Sequence, residues 1–262
     1  MKPGVFVLRM GSVPLDRLFG AGVVLLAMAP WLAVTAGLDD RSVFGRSPWD
    51  KPLRFALSLG VYAITLACAA QWLRVRTWVP GWRWVSTVVL VALVFEMSWI
   101  LVQAARGVDS HFNERTAFEA LMFSLMGLGA ALLSLAVLWL GLVASWLAVQ
   151  SVVPRDRLMA SGLALGFVVT GLLLPWTGEA LVDVGRSQSA FHAHLMVPLL
   201  GWRLDGSDPR PAHFVAAHFM QLLPAAAYLL ARFLPGMRLW VAGSMLGVMA
   251  VGGILLTLHW MP

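Results

Sequence analysis

Charge is scarce in this chain. Asp, Glu, Lys and Arg make up 12% of its 262 residues, about half the share usual in a soluble domain. That scarcity, with a mean hydropathy of +0.80, excludes an ordinary water-soluble fold. Cysteine is nearly absent: Cys68 stands alone, so no internal disulfide can form and cysteine usage says nothing about redox compartment. There is no internal repeat, no low-complexity run and no polar stretch long enough for a soluble domain. The apolar blocks also lack the alternation of period two that a membrane β-barrel requires.

What is present is a series of apolar runs of about 20 residues, long enough to cross a bilayer as helices. Backbone groups in lipid must be satisfied internally, so with the barrel excluded an all-α polytopic membrane bundle is expected. Seven spans are placed at about 18–37, 53–73, 84–105, 118–148, 158–175, 212–234 and 238–259, in a single transmembrane domain. The fourth is longer than a bilayer needs and has to tilt or project. The longest connection is expected from about Trp176 to Pro211. Lys2, Arg9 and Arg17 before an apolar stretch ending in VTAG resemble a signal peptide. The segment is read as a retained first helix.

Seven spans put the termini on opposite sides. Compact basic clusters, RVRTWVPGWR and PRDR, fall on the N-terminal side. The other side dilutes its cations with acids, which count little in the positive-inside rule. The expected topology is N-inside and C-outside, in the inner membrane of a bacterium. The net charge of +6 then reflects orientation and contact with anionic lipid; nucleic acid is not an expected partner. This topology gathers all six histidines, His111, His192, His194, His213, His218 and His259, on the outer side.

Glu96 is the most informative single residue. It lies ten positions before Arg106, about 15 Å into the bilayer at helical rise. An ionisable group at that depth is costly and marks function by default; the plainer reading is a protonated glutamate bridging helices. Trp99, Gln103 and Gly107 continue its face toward the outer surface. In SPWDKPLRFALSLGVYAIT, Asp50 suits an N-cap and Pro52 the first turn. Lys51, Arg54, Ser58, Tyr62 and Thr65 then form a polar stripe down one face. The two cations invite an anionic partner, although snorkelling alone would also explain them. In SDPRPAHFVAAHFMQLLP a helix begins near Pro209 or Pro211, capped by Ser207 or Asp208. His213 and His218 are five apart, about 140° around the helix, which is not the i, i+4 geometry of a helical metal pair. His218 shares a face with Gln221, Ala225 and Tyr228 and is expected to face the interior, with His213 toward a loop or neighbouring helix.

These residues define a candidate outer-side site. Glu96 and Tyr62 are its catalytic candidates. Lys51, Arg54, Gln103, Arg106 and Gln221 would contact substrate, and His111, His213, His218 and Asp208 would hold a metal. Mixed histidine and carboxylate sets suit Zn, Fe or Cu; a haem b with His218 and His111 as axial ligands is the other cofactor expected. An enzyme acting on a lipidic or anionic small molecule follows. The alternatives are a proton-coupled transporter using Glu96 and a non-catalytic membrane assembly factor.

The patches WDKPLRF, QAARGVDSHFN and DPRPAHFVAAHFMQLLP together resemble a bacterial family of multi-spanning membrane proteins uncharacterised in activity. The resemblance implies the bundle and the membrane location and carries no reaction. A weaker similarity is to seven-span zinc hydrolases of the alkaline ceramidase and adiponectin-receptor kind. Those carry a Ser/His site on an early span and an H-x-x-x-H pair on the last. Here Ser110 and His111 lie between spans three and four, and the spaced pair is on span six.

Overall fold

A computed structural model of the chain describes residues 16–43, 45–187, 202, 208–234 and 236–261. Seven helices carry the architecture: α1 (Arg17–Leu38), α2 (Asp50–Arg74), α3 (Trp82–Arg106), α4 (Ala117–Gln150), α5 (Pro154–Ser187), α6 (Arg210–Phe233) and α7 (Leu239–His259). All seven are long and apolar enough to span a bilayer. Among the described residues the only extended pairing is an isolated bridge between Val43 and Arg46. The all-α membrane bundle expected from composition is therefore the fold.

Boundaries differ in one place that matters. The fifth helix does not stop at Pro175 but runs on to Ser187, 34 residues in all. A proline costs a helix one hydrogen bond and a clash, and flanking packing can absorb both. The first third of the expected connection, 176–187, is thus a helical extension. α4 is equally long, about 51 Å at helical rise, against about 30 Å of hydrocarbon. Smaller shifts occur at two starts. Asp50 is the first residue of α2, after Trp49 at the cap. Pro209 occupies the cap of α6, while the Asp208 carboxylate accepts from the Arg210 N–H at 3.0 Å.

Helix order in the chain largely sets helix neighbours. α1 packs on α2, α4 on α5, and α5 on α6, which also meets α7. Glycine makes these approaches close. A methyl group on Gly22 would lie 2.8 Å from the Gly60 carbonyl oxygen, and one on Gly166 would lie 2.5 Å from that of Phe219. Without a hydrophobic drive between helices in lipid, such close backbone approach is what holds them.

The two ends of the bundle differ. The end with the α2–α3 and α4–α5 connections is filled by a continuous apolar core that includes Leu66, Leu73, Trp82, Val89, Val137, Leu140, Ala144 and Phe167. The buried polar side chains Gln103, Ser110, Asn113 and Glu119 lie instead at the end with the α3–α4 turn. α3 stops at Gly107, whose left-handed backbone (φ 69°) returns the Val108 N–H to the Gln103 carbonyl at 3.1 Å. This stop throws residues 108–116 across the end of the bundle.

Gly166→Ala is expected to lower the melting temperature in detergent, by overpacking of about 1–3 kcal/mol against backbone atoms that cannot yield. Gly127→Ala, which meets nothing within 4 Å, should melt as the wild type or slightly higher. Equal behaviour of the two variants would show that glycine contact does not hold α5 to α6.

Candidate functional site

Three polar features occupy the α3–α4 end, and they are separate. The first is the turn itself. Gln103 is fully buried; its amide nitrogen donates to the Asp109 carbonyl at 3.3 Å, and its oxygen accepts from Arg106 at 2.6 Å. Arg106 also reaches the Glu119 carboxylate at 3.2 Å. Trp99 donates its indole N–H to the Ser110 carbonyl at 3.1 Å, and Asn113 donates to that of Asp109. The Ser110 hydroxyl lies 3.0 Å from His111 Nδ1. Rings of Phe55, Phe112 and Phe123 surround the His111 imidazole, with centroids at 5.3, 6.1 and 6.2 Å.

Electrostatics follow from this enclosure. Burial among aromatic rings, aided by the nearby Lys51 charge, holds the His111 imidazole well below its ordinary pKa and therefore neutral. Burial raises the Asp109 carboxyl, against the opposing pull of Lys51 and Arg115. Next to His111, Phe112 sits at φ 60°, a left-handed conformation that non-glycine residues adopt at a cost. The turn is also tethered from the α1–α2 connection. Arg41 chelates Asp39, donates to the Ala105 carbonyl at 2.9 Å, and shares Asp39 with the Trp49 indole N–H. Those donors hold the Asp39 carboxyl below the usual carboxylate range.

The second feature is a groove between α2 and α6. Arg54, Ser58, Val61 and Thr65 on α2 and Arg210, Phe214, Ala217 and Gln221 on α6 repeat the same 4-3-4 spacing. They meet at the bottom, where the Gln221 amide and Thr65 hydroxyl are 3.2 Å apart. With the amide turned over, the Thr65 hydroxyl donates to its oxygen and its nitrogen donates to the carbonyls of Ala217 and His218. Above that bridge the faces stay open: Arg54 and Ser58 are exposed, Val61 is 39% and Phe214 46% exposed. Eleven residues separate the bridge from the mouth on both helices, about 16 Å. At the mouth, Arg54 lies within electrostatic reach of Arg46, Arg210 and Asp50. Arg210 is clasped by Asp208 through both carboxylate oxygens, at 2.8 Å to Oδ1 and 2.5 Å to Oδ2. Among the described residues, the mouth thus holds the guanidinium groups of Arg46, Arg54 and Arg210 and the carboxylates of Asp50 and Asp208. The His218 ring packs on that of Phe214, with centroids 3.9 Å apart, and Phe214 packs at a tilt on Trp202, before the helix, at 5.3 Å.

The third feature is Glu96. Its side chain is buried, with Oε1 lacking any hydrogen-bond partner, and it packs against Gly129 of α4.

The expected site residues therefore do not form one constellation. Glu96 stands alone in the α3–α4 seam. Tyr62 donates its hydroxyl to the Leu133 carbonyl at 2.9 Å, tying α2 to α4. Lys51 lies with its ammonium 5.9 Å from the Phe112 ring, on the turn, whereas Arg54 belongs to the groove. Gln103 and Arg106 build the turn, and Gln221 builds the groove floor. His213 Nδ1 lies 3.1 Å from the Thr177 hydroxyl of α5, a neighbouring helix. His218 is part-exposed rather than interior. Its Nδ1 lies 2.7 Å from the Phe214 carbonyl, which can only accept, so the ring carries a proton at Nδ1. His259 faces Trp260 at the end of α7, and His192 and His194 lie outside the described residues. Among the described residues no three His, Cys, Asp or Glu side chains come together to hold a metal ion. Asp208, the carboxylate of the expected metal set, is occupied by Arg210. Arg46 and Arg210 were not among the expected contacts. The signal for them was the one that marked Lys51 and Arg54: cations on the side where the positive-inside rule does not require them.

Comparisons with protein-family models, curated proteins and solved structures find nothing that matches the chain.

A histidine held neutral in the fold but free to protonate when unfolded makes the unfolded state take up more protons. Stability conferred by His111 is then present above its ordinary pKa of about 6.5 and is lost as pH falls below it. The melting temperature should drop on acidification from pH 7 to 5, and His111→Asn should flatten that slope. An unchanged slope in the variant would place the titrating group elsewhere.

Proposed function

We propose that this protein is a multi-pass protein of the bacterial inner membrane that binds an anionic amphiphile in the α2–α6 groove. The carrying observation is the matched pair of open faces, joined at their floor and crowned by Arg54 and its cationic neighbours. The guanidinium groups of Arg46, Arg54 and Arg210 at that mouth suit a phosphate or carboxylate headgroup. A 16 Å depth, about half of the hydrocarbon core, suits a single leaflet's acyl chain beside Phe214. The basic clusters around Arg74, Arg76 and Arg83 and around Arg155 and Arg157 lie at the opposite end, which the positive-inside rule makes cytoplasmic. The groove then opens to the outer leaflet.

This reading keeps the lipidic or anionic ligand expected from the sequence. It leaves out the metal and the haem, because the donors proposed for them are spread over the turn, α6 and an arginine clasp. It favours one-sided binding over transport, since the opposite half of the bundle is apolar and closed.

The full-length protein, reconstituted in nanodiscs of mixed phosphatidylglycerol and phosphatidylcholine and re-extracted, should retain the anionic lipid preferentially. Arg54→Gln should lower that preference about tenfold, the worth of one charge-assisted hydrogen bond. Ser58→Trp, which fills the groove and spares the charges, should abolish retention of both lipids. Retention without preference in the wild type, or full retention by Ser58→Trp, would refute the groove as the binding site.

A further inference from the structure

Glu96 calls for a separate account, independent of the groove. Its side chain is 4% exposed, in the middle of a helix that spans the bilayer. A methyl group on Gly129 would lie 2.7 Å from Glu96 Oε1, so the glycine is a notch that receives the carboxyl. Oε1 has no donor, and it is the one buried side-chain polar atom left so among the described residues.

The helices packed on α3 supply no charge to it. α4 carries a single ionisable residue, Glu119, and α1 a single one, Arg17, each at a helix end. α2 has Tyr62 and Cys68 between its charged ends; the Tyr62 hydroxyl is committed to Leu133 and Cys68 is exposed. α3 itself has Arg83 and Arg106, both at its ends. An ionised carboxylate without partner in such a place costs several kcal/mol, so the group is a neutral acid while the seam is closed.

The surroundings are polar in one direction only. Toward the α3–α4 turn the same face continues with Trp99, Gln103 and the Arg106–Glu119 pair. In the other direction it meets Val89, Ala92 and Leu93, all buried and apolar. We propose that Glu96 is a proton-binding site in the α3–α4 seam, exchanging its proton with the α3–α4 end of the membrane and sealed from the other. Gln103, whose amide bridges Arg106 and the Asp109 carbonyl, is the positioning residue of that route.

Dicyclohexylcarbodiimide tests this directly, because it enters lipid and reacts with protonated carboxyls. The acid proton moves to one carbodiimide nitrogen while the carboxyl oxygen bonds to the central carbon. The resulting O-acylisourea rearranges to a stable N-acylurea, and nothing leaves. On the full chain in nanodiscs, one adduct should map to Glu96 by peptide mass spectrometry. Its rate should fall toward about tenfold per pH unit once the carboxyl titrates. Glu96→Gln should carry no adduct at that position. Gly129→Ala, which fills the notch, should change the rate at least several-fold at an unchanged melting temperature. Gln103→Leu, close in size and without polar ends, should slow the response of labelling to a pH jump about tenfold while the adduct still forms. No adduct on Glu96, a rate indifferent to pH, or an unaltered pH-jump response in Gln103→Leu would overturn the proposal; the Gly129→Ala and wild-type arms stand even where Glu96→Gln fails to fold.

Discussion

Hydrocarbon offers no hydrogen-bond partners, and every polar side chain in these seven helices is placed under that constraint. Most hydroxyls meet it within their own helix. Thr35, Ser134, Ser145 and Thr257 each donate to the carbonyl four residues earlier. A few meet it across helices, and these fix the bundle. The Thr170 hydroxyl of α5 donates to the Ala216 carbonyl and accepts from the Met220 N–H of α6, the two ends of one helical turn. Tyr62 does the same service from α2 to α4. Where no partner exists, as at Glu96, the group must stay neutral. The polar chemistry of this protein is therefore concentrated at seams and at the bundle end that holds the α3–α4 turn.

The constraint also explains why a groove can exist. α2 packs along α1, and α6 packs along α5 and α7. Both helices run the same way from that end, and among the described residues the Gln221–Thr65 bridge is the side-chain hydrogen bond that joins them. In water, the exposed faces above it would collapse together to hide Val61 and Phe214. In a bilayer, lipid covers them at no cost, so nothing forces closure. A cation at the mouth is then tolerated because a headgroup can meet it.

Much of this was legible from the chain. Hydropathy gave the seven spans, and 3.6-residue periodicity placed Glu96, Trp99 and Gln103 on one face and Lys51, Arg54, Ser58, Tyr62 and Thr65 on another; the structure splits that second stripe, with Lys51 beside Phe112 of the turn and Tyr62 bonded to α4. The fourth helix starts close to its expected bound of 118, capped by Thr116, whose hydroxyl accepts from the Glu119 N–H. The extension of α5 was hidden by Pro175 and by the polar residues after it, which are what a helix needs once it leaves the hydrocarbon. Thr170 and Thr177 were illegible, because a lone threonine in an apolar run usually bonds its own backbone. The histidines misled as a group. Sharing a side of the membrane is a one-dimensional fact, and His111, His213 and His218 went to a phenylalanine box, a threonine and the Phe214 ring. The Asp208–Arg210 clasp, two residues apart, follows from local reach and outcompetes any distant ligand set.

The proton site and the groove are separate seams, yet α4 connects them. Gly129, which receives Glu96, and Leu133, which receives the Tyr62 hydroxyl, are one turn apart on the same helix. Tyr62 in turn lies one turn from Thr65 at the groove floor. A rigid chain of contacts therefore runs from the Glu96 carboxyl through α4 and Tyr62 to the floor. Ionising Glu96 inside the seam is too costly to occur without separating α3 from α4 or admitting water. If α4 moves, the Leu133 carbonyl moves with it, and Tyr62 must follow or lose a buried hydrogen bond. If instead water reaches the carboxyl past Gln103, α4 can stay where it is and the groove floor is undisturbed. The amide of Gln103 gates this second route, because water passes it only by breaking its two hydrogen bonds, whereas the first route needs a movement of α4. Glycine at position 129 makes that movement local: the notch holds the carboxyl by shape alone, with no bond to break.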